Sequence, residues 1–213
     1  MPTDARLLTL AQWMSPSFPV GAFAYSHGLE WAVQSGQIIS SSDVHDWLTD
    51  LLRHGAGNSD AVFLSAAYRG LEPVEQIDAL ALAMAPSKER RMEAILQGEA
   101  FAATVRDVWG HDIPASTLAV VVGAAARQQG LPLTDVISLF LHAFASNQVS
   151  AAIRLVPLGQ TDGQRILADV ASLCVELAET AAGATLDDIG PACLLGDIAS
   201  MNHETQYSRL FRS

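Results

Sequence analysis

The sequence predicts an all-α protein, a single-domain bundle of about ten helices, and three observations support that fold class. Along most of the chain, apolar residues recur at intervals of three and four, which places them on one face of a helix. Glycine, proline and short polar residues interrupt this pattern at spacings typical of helix lengths. The most strand-like stretch, residues 153–158, is short and contains Pro157, so we interpret it as a helix end followed by a turn.

The first helix is predicted around Leu7 and Leu10, which follow helical spacing. Thr3 stands where a residue would cap its N-terminus, and Pro16 stops it. A loop with a second proline and a glycine comes next. Helical composition then resumes as far as Gly36, which stands where a glycine commonly follows a helix.

The clearest amphipathic helix is predicted to begin at Ser42. Val44 and Leu48 lie on one face of it, and Asp46 and Asp50 lie on the other. Further helices follow, each bounded by Gly, Pro or a short polar residue. They are predicted at residues 59–69, 74–84, 87–109, 115–129, 133–152, 161–180 and 185–201, the last with an interruption at Gly190 and Pro191.

The whole chain, residues 1–213, is predicted to form one domain. Neither a linker rich in Ser, Gly or Pro nor a run of charge divides it, and no segment recurs at a fixed period. Hydrophobic residues make up 50 % of the chain and charged residues 16 %, which is more apolar material than an ordinary soluble core and surface require. Part of this excess is expected at interfaces with other proteins.

The charge and the N-terminal segment restrict the partners and the location of the protein. A formal charge of -11, from 23 acidic and 12 basic residues, repels phosphate backbones and argues against binding nucleic acid. The N-terminal segment carries Asp4 and only a short apolar stretch before Gln12, unlike a secretory signal. The longest run of small apolar residues, 118–126, is about half of what a bilayer span needs. We therefore expect a cytoplasmic protein that does not bind membranes.

Sequence motifs of several catalytic and metal-binding classes are missing. The chain has no phosphate-binding glycine loop, no Glu-x-x-His pair and no His-Glu-x-x-His motif. Its six histidines are dispersed, and Cys174 and Cys193 are isolated. We therefore predict no catalytic residue, no metal site and no stably bound cofactor. A helical enzyme with a site assembled around Glu30, His142 and Arg154 remains an alternative, because catalytic groups can come from distant positions.

Three segments depart from ordinary helical composition. Residues 15–30 combine two prolines and two glycines with aromatic residues, among them Tyr25. Arg154 lies in an otherwise apolar stretch, where a guanidinium group needs a partner. Residues 207–213 mix Tyr, Leu and Phe with two arginines, the residue types that dominate binding hot spots. Composition alone fits a tail that binds a partner and a tail that folds back onto its own bundle equally well.

These segments belong to longer stretches that together resemble the UreF family of urease accessory proteins. The stretches are LAQWMSPSFPVGAFAYSHGLE at 10–30, QGEAFA at 97–102, LHAFASNQVSAAIRLVPLGQTDGQR at 141–165 and ACLLGDIASMNHETQYSRLFRS at 192–213. They lie at both ends and in the middle of the chain, so the resemblance covers nearly its whole length. Each stretch alone is a weak signal, but their joint occurrence is specific.

The resemblance implies an all-helical protein that forms a homodimer and bridges two partners, the accessory protein UreD (also called UreH) and the GTPase UreG. It implies that this complex docks on apo-urease and supports insertion of nickel, with the GTPase hydrolysing GTP and this chain acting as a chaperone, not as an enzyme. It also implies that residues 203–213 form a partner-binding tail. Partner contacts are expected at Tyr25, Arg154, Tyr207, Ser208, Arg209, Leu210, Phe211 and Arg212. A generic helical adaptor unrelated to urease is the remaining alternative.

Overall fold

The computed structural model describes residues 4–70, 72–190 and 193–213, and within these ranges it contains α-helices and no strand. The helices are α1 (Ala5–Trp13), α2 (Leu29–Gln34), α3 (Ser41–His54), α4 (Ala56–Arg69), α5 (Val74–Met84), α6 (Lys88–Trp109), α7 (Leu118–Gln129), α8 (Leu133–Leu155), α9 (Gln160–Gly183) and α10 (Leu194–His203). Short 3-10 turns lie at Ala22–Ala24 and Leu186–Asp188. The predicted all-α fold class is therefore confirmed.

Side-chain caps fix the starts of several helices. Asp4 caps α1 by accepting a hydrogen bond from the Arg6 backbone N–H at 2.9 Å. Asp4 occupies the N-cap position, so the prediction that Thr3 caps this helix is wrong. Thr3 itself lies outside the described residues. Ser40 and Asp43 form a reciprocal capping box at the start of α3, which satisfies backbone donors that the first turn leaves free.

Two predicted helical segments have different bounds in the structure. The helix predicted at 115–129 begins only at Leu118, because residues 110–117 form a non-helical connection that includes Pro114. The segment predicted at 185–201 is divided into the turn Leu186–Asp188 and helix α10. Gly190 lies between them, while the predicted break at Pro191 falls outside the described residues. By contrast, the turn predicted within 153–158 is confirmed, since α8 ends at Leu155.

The centre of the bundle is formed by α8 and α9, which lie along each other, and by α4, which packs against both and against α7. By length and composition alone, α8 could cross a membrane, but half of its apolar segment is buried inside the protein. Its apolar faces contact α9 and α4, so packing within the bundle accounts for its hydrophobicity. Among the described residues it is the one helix with these properties.

Helices α2, α6 and α10 meet at one end of the bundle, where α10 packs against the other two. Gly28, just before α2, makes the close approach possible. Its φ angle of 82° is in the left-handed region, and a Cβ there would lie 2.6 Å from the backbone N of Ser200. The chain after α10 therefore leaves the helix directly over α2 and α6.

Candidate protein-interaction site

The C-terminal tail, residues 204–213, folds back over the loop before α2. The Arg212 backbone N–H donates to the carbonyl of Ala24 at 2.7 Å, and the Ser26 backbone N–H donates to the carbonyl of Ser213 at 2.6 Å. The Ser213 hydroxyl donates to Glu93 Oε2 at 2.9 Å. The last residue is completely buried. The tail is thus attached to the bundle through its backbone as well as through its side chains.

Glu30 of α2 receives the middle of the tail. Its Oε1 accepts from the Leu210 backbone N–H at 2.7 Å, and its Oε2 accepts from the Phe211 backbone N–H at 2.9 Å. Two backbone donors on one buried carboxylate make a charge-assisted contact, which is stronger than a bond between neutral groups. Glu30 therefore sets the path of the tail across the bundle.

Side chains of the tail differ in whether they face the bundle or the solvent. Phe211 is buried, and the Arg154 guanidinium carbon lies 6.0 Å from the centre of its ring. Arg209 donates to Glu89 Oε1 at 2.5 Å. Tyr207 and Leu210 point outward, with exposed fractions of 105 % and 76 %. The tail thus folds back onto its own bundle and still presents apolar side chains to the solvent, while partner binding by the tail stays a prediction.

Helix α10 and the tail each expose large apolar side chains, and we call this set of residues the α10–tail face. It consists of Leu194, Leu195, Ile198, Met201, Tyr207 and Leu210, each between 49 % and 105 % exposed. On α10 these residues recur at intervals of one, three and three, so they follow one side of the helix. Large apolar side chains clustered on a surface are typical of protein–protein contacts.

A buried ionic cluster lies behind the tail on α6. Glu93 forms an ion pair with Arg90, accepts from Gln97 Nε2 at 2.9 Å and lies 2.9 Å from His27 Nε2. Burial alone would raise the pKa of Glu93, but the Arg90 charge, together with the hydrogen bonds from Arg90 and His27, outweighs it and holds the pKa at about 2. Burial lowers the pKa of His27, and the nearby Arg90 charge adds to this effect. Glu93 is therefore ionised at neutral pH, and the His27 ring is neutral.

The same cluster borders a cavity of about 540 Å³ that lies between α4, α6, α7 and α8. Among its lining residues, Trp13 Nε1, His27 Nδ1 and Thr117 Oγ1 are buried without a hydrogen-bond partner among the described residues. Asp60 also faces the cavity. Burial raises its pKa from 3.8 to about 6, against the opposing effect of the Arg90 charge. The cavity wall therefore carries polar groups with unused hydrogen-bonding capacity.

Comparison with known proteins identifies the family. The UreF family model matches residues 38–171. The chain is 51 % identical to the urease accessory protein UreF of Ruegeria pomeroyi, over all of this chain and 99 % of that protein. The chain belongs to the UreF family of urease accessory proteins. It is also 52 % identical to UreF of Cereibacter sphaeroides strain KD131, over 99 % of this chain and all of that protein. UreF of Roseobacter denitrificans is 50 % identical, over all of this chain and 96 % of its own length.

The residues predicted from the UreF resemblance occupy different environments. Tyr25 is buried beneath the tail's attachment point, and Phe211 is buried beside Arg154. The other predicted positions are exposed on the tail, namely Tyr207, Ser208, Arg209, Leu210 and Arg212, as is Arg154 on α8. The structure brings Arg154 and the tail together, and their role in partner binding stays a prediction.

The alternative enzyme site is not assembled in the described residues. Glu30 bonds to the tail and to His203, Arg154 lies over Phe211, and His142 faces the cavity. The described residues also contain no group of three or more His, Cys, Asp and Glu side chains arranged to hold a metal ion.

Sequence reasoning missed the exposed half of α10 and the buried cluster on α6. A signal for the cluster was present, since Arg90, Glu93 and Gln97 recur at intervals of three and four on a helix face that is otherwise apolar. Their partner His27 could not be found in this way, because 66 positions separate it from Glu93.

Proposed function

We propose that this chain is a scaffold of urease maturation that bridges the accessory protein UreD (UreH) and the GTPase UreG. The resulting complex docks on apo-urease and supports the insertion of nickel into its active site. GTP is hydrolysed by the GTPase, and this chain contributes contacts without catalysing a reaction. Membership of the UreF family supports a role in urease maturation, and the α10–tail face supports a role in binding proteins.

The observation that carries this proposal is the α10–tail face. Six large apolar side chains are exposed within residues 194–210, on a helix and on the tail that follows it. Exposing such side chains to water is unfavourable, and burying them against a complementary groove is a common mode of helix recognition. We assign this face to the UreD (UreH) partner.

Arginine side chains lie on the same tail as the apolar residues of the α10–tail face. Arg209 and Arg212 are exposed on the tail next to the apolar residues, and Arg209 is already paired with Glu89. Apolar residues at the centre with arginines at the edge match the usual anatomy of a protein interface. The face therefore fits a protein partner better than a small molecule, which needs a concave pocket.

Replacing Leu195 by Asp is expected to weaken capture of the UreD partner at least about 30-fold, because a charge would be buried at the centre of the interface. Leu195 is 65 % exposed, so the free chain should keep its stability. Pull-down followed by surface plasmon resonance measures the effect. Val175→Asp on α9 is the matched control, since Val175 is 50 % exposed but lies outside the face. Equal loss for both variants, or no loss for Leu195→Asp, contradicts the assignment.

Nickel is the cargo of the complex in this proposal, and the isolated chain holds no metal ion stably. Calorimetric titration of the metal-free chain with Ni²⁺ is expected to show no tight saturable binding, because the described residues offer no closed ligand set. Reproducible stoichiometric binding at micromolar chain concentration would show that this expectation is wrong. A His203→Gln variant titrated in parallel tests whether any heat arises at the buried histidine.

Pull-down from a native lysate at moderate salt separates a urease scaffold from a generic adaptor. We expect the GTPase and the urease subunits to arrive together with the tagged chain. Turnover of a small substrate by the isolated chain would instead favour the enzyme alternative.

Light scattering tests the predicted homodimer. The cytoplasmic location also stays a prediction, and cell fractionation tests it.

A further inference from the structure

Aromatic side chains form much of the wall of the cavity between α4, α6, α7 and α8. They come from four helices and comprise Trp13, Phe63, Phe101, Phe140 and Phe144. The rings of Trp13 and Phe101 meet edge to face, with their centres 5.3 Å apart. A volume of about 540 Å³ lies within the range of pockets that enclose small organic molecules. The cavity therefore offers both room and apolar surface for the body of such a molecule.

The cavity also reaches the protein surface. Phe23 and Met84 lie among its lining residues, and their exposed fractions are 66 % and 44 %. Side chains that belong to the lining and are also accessible to solvent mark an opening. A small molecule can therefore enter the cavity while the bundle stays folded.

Two carboxylates of the lining have no cation of their own. Apart from histidines, the ionisable side chains of the lining are Asp60, Arg90, Glu93 and Asp197. Arg90 forms its ion pair with Glu93. Among the described residues, no hydrogen-bond donor contacts the carboxylate of Asp60 or of Asp197. When all four groups are ionised, the lining thus carries more negative than positive charge.

Burial makes the charges of these two carboxylates unfavourable. It raises the pKa of Asp60 to about 6 and also raises the pKa of Asp197, in each case against the opposing effect of the Arg90 charge. A cation that reaches such a carboxylate stabilises its ionised form. Thr117 lies in the same lining, and its buried Oγ1 has no hydrogen-bond partner among the described residues. The polar part of the lining therefore suits a positively charged donor group.

We propose that this cavity binds a small organic cation, whose primary ammonium group pairs with Asp60 and whose apolar body packs against the aromatic wall. An ammonium group brings several N–H donors together with the positive charge that the lining lacks. The apolar body gains free energy by leaving water for a wall of Phe and Trp side chains. Asp60 lies on α4 and not on the α10–tail face, so the proposal does not rest on the scaffold function.

Other classes of ligand fit this lining less well. An anion would add to the surplus of negative charge. A metal ion needs several ligands close together, and the described residues contain no group of three or more His, Cys, Asp and Glu side chains arranged to hold one. A neutral apolar molecule would leave the Asp60 carboxylate without a partner. An organic cation satisfies both the carboxylate and the apolar wall.

Titration of the full chain with phenethylammonium chloride tests the proposal, and phenethyl alcohol is the neutral probe of the same size. In a ¹⁵N-labelled sample at about pH 7.5, we expect saturable shifts of the amide signals of Asp60 and Phe144, with a Kd of about 1 mM or lower. The signals of Leu195 and Met201 on the α10–tail face should stay in place. The alcohol should bind at least about tenfold more weakly, because it cannot form a charge-assisted contact with the carboxylate.

Asp60→Asn removes the charge and nearly keeps the size of the side chain, so the preference for phenethylammonium over the alcohol should disappear. Asp46→Asn on α3 is the matched control and should bind like the wild type, because Asp46 is exposed and lies outside the lining. Circular dichroism checks that both variants are folded.

Several results would overturn the proposal. Two of them need no variant, namely equal affinity of the wild type for the two probes and no binding of phenethylammonium at about 10 mM. An unchanged preference in a folded Asp60→Asn variant is the third. Nickel chloride alone, if it shifts the same amide signals at micromolar concentration, would show a metal site instead and also overturn the proposal. Because no partner protein is present, none of these results depends on the scaffold function.

Discussion

Replacing Glu93 by Gln is expected to lower the free energy of unfolding by about 3–5 kcal/mol, which is typical when one partner of a buried ion pair is removed. Arg90 would keep its charge at a position where only 10 % of its side chain is exposed. The NH2 group of the Gln amide would also face a group that now donates to one Glu93 oxygen, either Gln97 at Oε1 or Ser213 at Oε2. Chemical denaturation followed by circular dichroism measures the change.

The pH dependence of the Glu93→Gln effect distinguishes a charge effect from a packing effect. Because the folded state lowers the pKa of Glu93 from 4.5 to about 2, the ionised carboxylate stabilises the fold above pH 4.5. That contribution is lost as the pH falls from 4.5 towards about 2. The difference between wild type and variant should therefore shrink on acidification.

Two further variants complete this test. Glu99 lies on the exposed side of the same helix. The control variant Glu99→Gln should therefore change the free energy of unfolding by less than about 0.5 kcal/mol. A double variant, Arg90→Met with Glu93→Gln, should recover part of the loss because it removes the unpaired charge. A Glu93→Gln effect below about 1 kcal/mol would contradict the role assigned to the ion pair.

The fold could be predicted because the helices carry local signals. Ser40 and Ser87 stand directly before α3 and α6 and accept hydrogen bonds from the first turn of each helix. Gly70, Gly110 and Gly130 directly follow α4, α6 and α7, where each has a positive φ angle. Such signals depend on neighbours within a few positions, so a single sequence is enough to read them.

The interaction site could be predicted only in part, since its contacts join distant positions. Composition marked the tail as unusual, but it could not place Leu210 and Phe211 against Glu30, which is 180 positions away from Leu210. Arg154 was expected to need a partner, and it faces Phe211. These pairs arise from the packing of α2, α8 and α10, which no local pattern specifies.

Helix α10 shows a second reason why the interaction site could be predicted only in part. From the sequence, Leu194 and Leu195 fit a buried helix face as well as an exposed one, because hydrophobic spacing is the same in both cases. In the structure they are 70 % and 65 % exposed, since α10 buries Gly196, Ala199, Ser200 and His203 against the bundle. Apart from His203, small residues form its inner face and large ones its outer face, which is the reverse of an ordinary amphipathic helix.

Replacing Asp60 by Asn is expected to raise the free energy of unfolding at neutral pH by up to about 3 kcal/mol. The folded state raises the pKa of Asp60 from 3.8 to about 6, mainly because the carboxyl group is buried. A group that binds its proton more tightly when folded destabilises the fold once it is ionised, by about 1.4 kcal/mol for each unit of difference. Stability is therefore lost as the pH rises from 3.8 to about 6, and the neutral Asn avoids this loss. Urea unfolding at several pH values measures it.

The benefit of Asp60→Asn should disappear near pH 4, where Asp60 is protonated in the folded chain as well. Asp46→Asn on α3 is the control, because its side chain is 75 % exposed and its charge meets water in both states. A variant that is less stable than the wild type at neutral pH would show that the carboxylate makes favourable contacts in the cavity. If Asp60→Asn is more stable yet supports less urease activation in cells, the Asp60 carboxylate is needed for function although it destabilises the fold.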